Sequence, residues 1–275
     1  IYHLHSKDFG NEDVEVLNSE YGKNVIKLLR IRRDGKKHCI KEVEVCVHIR
    51  LDSVNEYLHG DNSAVIPTDT MKNIVLALAK CKGIQIIEQF ALDICNHLIS
   101  SYCHVVYVKA YVQEVPWRRL EKNGIPHVHS FICVPEGIRF CEAEQCQNGC
   151  PLVISGIKEL KLKKTTQSGF QGFHRDKYTT IPDRTDRVLS AELFCKWSYG
   201  VDTVHECVLE AFSGPPDCGE YSPCHQKTIN NIQMLILARV PQEIEVTLNN
   251  IYYDVIDLEK FGLTNDKEVR ELLKY

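Results

Sequence analysis

An order of strands and helices that recurs at half the chain's length constrains this sequence more than any other feature. Residues 39–51, CIKEVEVCVHIRL, alternate with a period of two, so Val43, Val45, Val47 and Ile49 share one face of a half-buried strand. Residues 21–33, YGKNVIKLLRIRR, read as a strand before it. A loop, LHGDNSAVIP, leads to the helix TDTMKNIVLALAKCKG, with Thr68 or Asp69 as its cap and Gly83 at its end. A second helix over 84–102 lines up Ile87, Phe90, Ala91, Ile94 and Leu98 as one apolar stripe. VVYVKAYVQEV and HVHSFICV complete a β-β-α-α-β-β order. After the loop-like CEAEQCQNGCP the order returns. Strand text at 153–163 and AELFCKWSY precedes the helices HECVLEAF and KTINNIQMLILARV and the strand IEVTLNNIYYDVI. The expected class is α+β, with two similar halves, 11–140 and 141–275, each an antiparallel sheet with helices on one face.

Composition narrows the function classes. A net charge of −4 with no basic block argues against a nucleic-acid partner. The longest apolar run, IVLALA at 74–79, is far short of the ~18 residues of a membrane span. The opening IYHLHSKDFG lacks the order of a signal peptide, and the final ELLKY is not an SKL-type peroxisomal address. Thirteen cysteines are many for an intracellular enzyme. Cys81 and Cys95 fall in helical text and read as small hydrophobes. Cys141, Cys146, Cys150, Cys218 and Cys224 fall in loop-like text, where an oxidising compartment lets thiols pair. The odd count leaves one free or paired between chains. An extracellular or other oxidising setting is therefore expected, although no N-x-S/T glycosylation site accompanies it. No CxxC pair favours zinc.

Residues 164–187, KTTQSGFQGFHRDKYTTIPDRTDR, combine turn-forming Gly and Pro with locally bonding Thr and Ser. One reading is a surface loop with a core phenylalanine and a salt-bridged arginine. The other is an aromatic face at Phe170 and a fixed guanidinium at Arg187 that together hold a flat, anionic ring. His127 and His129 share a strand face without a visible third ligand, so surface histidines are the plainer reading. Trp117, after Pro116, reads as core or interface, and the Asp-rich 254–266 region as a solvated end.

The stretch TTQSGFQGF–RD–YTT–P–DR resembles the signature of the uricases, or urate oxidases. So do YGKNVIKLLR at 21–30, HGDNSAVIPTDTMKN at 59–73, VPW at 115–117, HVHSF at 127–131, GEYSP at 219–223, NNIQ at 230–233 and NNIYY–––DL at 249–258. The similarity runs through nearly the whole chain and is to the vertebrate branch. It implies two tandem T-fold modules, each a sheet backed by two helices. It also implies a homotetramer whose sheets close into a tunnel without exposed strand edges, and urate sites between subunits. The reaction implied needs no metal or organic cofactor: urate, O2 and water give 5-hydroxyisourate and hydrogen peroxide. By resemblance Phe170 stacks on the purine, Arg187 clamps one edge, and Gln233, beside Ile232, holds the other. Lys23, Thr68 and Asp69 reach in from a neighbouring subunit, and Asn250 lies above the ring near the oxygen or water. An always-charged planar Arg and a donor–acceptor Gln suit a flat anion with alternating donors and acceptors. A Lys–Thr pair relays a proton where burial lowers the lysine.

Three departures from the family pattern stand out. Tyr252 occupies the position of the family's proton-moving histidine, and Asn249 that of a proline. Tyrosine titrates near ~10 and histidine near ~6.5, so a phenol is a poor shuttle at neutral pH. The connection after KWSY lacks about a dozen residues. The cysteine load is foreign to a peroxisomal enzyme. The expectation is a urate-binding protein with impaired oxidation, cross-linked by disulfides; the alternative is a working uricase in the peroxisome.

Overall fold

The fold is seen in a computed structural model that describes residues 2–5, 15–198, 203–240, 243–255, 258–264 and 270–273. The chain divides into two compact units, Ile1–Gly156 and Ile157–Tyr275.

In the first unit β1 (Tyr2–His5) pairs with β2 (Glu15–Ser19) as a two-stranded ribbon. β3 (Tyr21–Asp34) and β4 (Lys37–Leu51) form a long hairpin. A single helical turn, α1 (Asn55–Leu58), precedes α2 (Thr68–Cys81) and α3 (Ile87–Ser101). Then come β5 (Val105–Glu114), β6 (Trp117–Lys122), β7 (Ile125–Cys133) and β8 (Ile138–Cys146). The antiparallel sheet of this unit runs β8-β5-β4-β3, while β6 and β7 pair with each other apart from it.

The alternation of β4 is the clearest cause of this arrangement. Val43, Val45, Val47 and Ile49 are all fully buried and meet the apolar stripes of α2 and α3. Ile87, Phe90, Ala91, Ile94 and Leu98 of α3 are buried as the 3.6-residue spacing requires. Each such side chain contributes roughly 1.5–3 kcal/mol on leaving water. One polar group enters the core by satisfying its bonds. The Glu88 carboxylate accepts from Arg139 Nη2 at 2.8 Å and Ser155 Oγ at 2.7 Å.

Four expectations change here. β8 was read as a loop, yet it pairs with β5 and buries Phe140, Cys141 and Ala143. A division at 140 would cut this strand; the observed one falls within β9 (Leu152–Lys164). α2 has Pro67 as its N-cap residue and no side-chain cap, so neither Thr68 nor Asp69 plays that part. Trp117 is 40% exposed and donates from Nε1 to Glu42 Oε2 at 2.7 Å, so it is not core.

The second unit continues from β9 through β10 (Leu189–Ser198), α4 (Thr203–Ser213), α5 (His225–Arg239), β11 (Ile244–Asn250), β12 (Tyr252–Val255), a 3-10 turn (Glu259–Phe261) and β13 (Arg270–Leu273). Its sheet runs β11-β10-β9, and β12 pairs with β13. The single strand expected over IEVTLNNIYYDVI is thus two. Trp197, Leu193 and Cys195 of β10 pack with Val204, Cys207 and Val208 of α4 and Ile232 and Ile236 of α5. Each unit is an antiparallel sheet with a helix pair, as expected of a T-fold module. The shortened connection at 199–202 lies outside the described residues.

All thirteen cysteines are free thiols. Cys141, assigned to a loop by sequence, is fully buried, and burial pushes its thiol up. Burial likewise pushes Cys95 and Cys195 up to about 12. Among the described residues no helix is long and apolar enough to cross a membrane.

Candidate functional site

The second unit assembles an aromatic and a guanidinium from the turn-rich stretch between β9 and β10. Backbone bonds knit it together. Phe170 and Arg184 exchange N–H···O bonds at 2.7 and 2.8 Å, Gly169 N donates to Ser222 O at 2.9 Å, and Arg187 N donates to Ser168 O at 2.7 Å. Gly169 is demanded by crowding: a Cβ there would lie 2.0 Å from the Tyr221 hydroxyl and 3.0 Å from Arg184 O. The Phe170 ring stacks on Phe173, with centroids 4.7 Å apart and planes 10° from parallel. The guanidinium carbon of Arg175 lies 4.4 Å from the Phe173 centroid, and Arg175 is itself fixed by Asp183 at 3.1 Å and by Ile181 O at 3.0 Å.

The Arg187 guanidinium carbon stands 5.5 Å from the Phe170 centroid. Its Nε–H points to the buried Ser168 Oγ at 3.4 Å and its Nη2 to His225 Nδ1 at 3.4 Å. Burial and the neighbouring guanidinium hold His225 down at about 4. A hydroxyl and an imidazole are thus among the partners of the Arg187 side chain. His225 and Ser168 escaped sequence reasoning. The one available signal was the histidine directly after GEYSPC.

The remaining residues of this group enter from α5, β11 and β12. Ile232 is fully buried, so its side chain belongs to the core, while Gln233 beside it on α5 is half-buried. Asn250 ends β11, exposed, in register with Ala191 of β10, and Ile251 N donates to Ser190 O at 2.9 Å. This pairing keeps Asn250 near the strand that Arg187 leads into. Tyr252 lies in β12 opposite Leu273; the position of its ring is outside the described residues.

The first unit holds Lys23, Thr68 and Asp69. The β3–β4 register shifts between Lys23 and Ile26, and Val25 sits in the left-handed region at φ 55°. Such a bulge re-aims neighbouring side chains. On the other side of Lys23, Gly22 lies so close to β4 that a Cβ would stand 1.9 Å from Val47 O. Tyr21 OH accepts from Ile66 N at 2.8 Å, and His104 Nε2 contacts Ala64 O at 2.9 Å. The Tyr21 bond ties the loop that delivers Thr68 to the strand that carries Lys23. The Lys72 ammonium holds the Asp69 carboxyl below the usual carboxylate range, with smaller help from Asn73 and Lys23. Asp69 is thus engaged by its own helix. Lys23 and Thr68, both half-buried, make no side-chain hydrogen bond among the described residues.

His127 and His129 lie edge to face at 4.7 Å on the exposed β7, and His127 Nδ1 accepts from Ser130 N at 3.0 Å. Among the described residues no three His, Cys, Asp or Glu side chains gather as a metal site.

A family model described as uricase matches residues 19–144 and 153–272. The uricase of Oryctolagus cuniculus is 53% identical over 271 residues, covering 94% of this chain and 90% of the relative. That of Danio rerio is 48% identical over 270 residues, covering 94% and 91%. The crystal structure of uricase from Arthrobacter globiformis superposes with a TM-score of 0.86 at 29% identity, over 96% of this chain and 92% of that one. With a family model over most of its length and relatives 53% and 48% identical along 94% of it, this chain belongs to the uricase family.

Proposed function

We propose that the protein binds urate with Phe170, Arg187 and Gln233 and oxidises it, if at all, more slowly than its relatives. The observation that carries the reading is the Arg187 guanidinium held beside the Phe170 ring by Ser168 and His225. A planar fork fixed next to a π-face suits a flat anion. The proposed partner groups are Asn250 above the ring and the Lys23–Thr68 pair of a neighbouring copy in a homotetramer. No cofactor takes part: urate supplies two electrons to O2, water adds to the oxidised ring, and hydrogen peroxide leaves. Tyr252 stands where the family's histidine moves a proton, and general acid–base groups account for roughly 10²–10⁴-fold in rate.

The test pairs calorimetry with urate against the loss of urate absorbance under oxygen. Tight binding with turnover raised by Tyr252→His supports the proposal. Turnover at ordinary uricase rates in the parent refutes the impairment. A second reading, a fully working enzyme, is favoured by Lys23 and Thr68, whose side chains make no hydrogen bond among the described residues. It requires that Tyr252→His leave an already fast rate unchanged.

Seven cysteines are exposed: Cys39, Cys81, Cys103, Cys133, Cys146, Cys150 and Cys218. They support a proposal that copies cross-link in an oxidising compartment. Native material that runs only as monomer on a denaturing gel without reductant rejects it.

A further inference from the structure

We infer that His225 is a positioning residue for the clamp, its unprotonated Nδ1 accepting an N–H of Arg187 so that the guanidinium is locked in place from behind. The inference rests on the urate reading for its ligand, but not for its geometry.

Arginine only donates. The 3.4 Å approach of Arg187 Nη2 to His225 Nδ1 therefore fixes the tautomer, with Nδ1 as acceptor and the ring proton on Nε2. Arg187 is then held at three points: its backbone N by Ser168 O, its Nε by Ser168 Oγ, and its Nη2 by His225. His225 is itself fixed as the first residue of α5. The start of that helix is pinned by the buried pair Ser222 and Thr228, whose hydroxyls bond each other while Thr228 Oγ1 also reaches Cys224 O at 3.3 Å. The fork is thereby carried by a group that cannot swing away.

Burial first, and then the Arg187 guanidinium that faces it from the strand-entry segment, favour the neutral ring. In neighbouring segments the Glu220 carboxylate is engaged by Asn231 Nδ2 at 3.2 Å, and the Lys164 ammonium by Glu220 O and Phe212 O. A protonated His225 would have no acceptor left for Arg187 and would set a second cation beside it. Acidification thus unlocks the clamp: the ring resists protonation from its ordinary ~6.5 down to about 4, and the hydrogen bond is lost as pH falls through the lower value.

The test uses the full chain. Its histidine signals are titrated by NMR, with His225 assigned by its absence from His225→Gln. In the parent the ring titrates well below the ordinary ~6.5 of an imidazole, and Arg187→Gln moves its midpoint upward. This readout needs no ligand, and a midpoint indifferent to Arg187→Gln overturns the inference. Calorimetry with urate then compares His225→Leu, which leaves no acceptor, with His225→Gln, whose amide oxygen restores one. Leu is expected to weaken binding about tenfold or more, the worth of a hydrogen bond to a charged group, and Gln to recover most of it. Equal affinities for Leu and Gln also overturn it. A parent that binds no urate while the midpoint still answers to Arg187 refutes the ligand reading and sustains the lock.

Discussion

Two substitutions three residues apart on β3 are expected to change stability in opposite directions. In Gly22→Ala the new methyl would stand 1.9 Å from Val47 O and 2.7 Å from the His48 Cα, both backbone atoms. An ordinary contact begins near 3.4 Å, so the strands must part by about 1.5 Å at that point. The register pairs Tyr21 with Ile49, Gly22 with His48 and Lys23 with Val47, so two or three ladder bonds stretch. At ~0.5–1.5 kcal/mol each, the loss is about 2–3 kcal/mol, or a fall in Tm of roughly 4–12 °C. Val25→Gly does the reverse. A left-handed L-residue costs roughly 1–2 kcal/mol, and glycine's extra chain entropy returns about 0.5–1 of it. Val25 is 54% exposed, so little burial is forfeited and Tm should rise by roughly 1–4 °C. Thermal unfolding followed by circular dichroism measures both. A Gly22→Ala protein that melts with the parent refutes the close-approach argument. A Val25→Gly protein that melts below the parent refutes the strain argument.

Arg187→Lys is expected to weaken urate binding at least tenfold in calorimetry while leaving Tm nearly unchanged, because a point charge cannot reproduce a planar fork. Glu88→Ala removes one buried partner from Arg139 and from Ser155 and should cost about 3 kcal/mol in urea unfolding, read as a shift in midpoint at constant slope. Thiol labelling at pH 8 needs the thiolate. The seven exposed cysteines should react within minutes, and Cys95, Cys141, Cys195 and Cys207 only on denaturation, as peptide mapping would reveal.

Legibility followed burial. β4 and α3 were readable because each shows water one face and the core the other, and their large apolar residues carry that contrast. β8 was not, since its inward positions include cysteine and alanine, which bury completely without looking hydrophobic among Glu and Gln. Phe170 and Arg187 were legible as members of a signature stretch, and their proximity is a property of the turns between them. His225 was illegible for a different cause. Its partner lies 38 residues earlier, and neither residue type nor spacing announces a bond made only when α5 docks. The break between β11 and β12 was hidden because NNIYY carries β-branched and aromatic residues straight across it.

The column of Arg175, Phe173 and Phe170 has a kinetic corollary. A ring buttressed in this way has already surrendered its torsional freedom, so a planar guest needs to still only itself on arrival. Residence time then depends on Phe173, although the guest need never meet it. Phe173→Leu should hasten departure in stopped-flow displacement, and an unaltered off-rate would show that Phe170 needs no buttress.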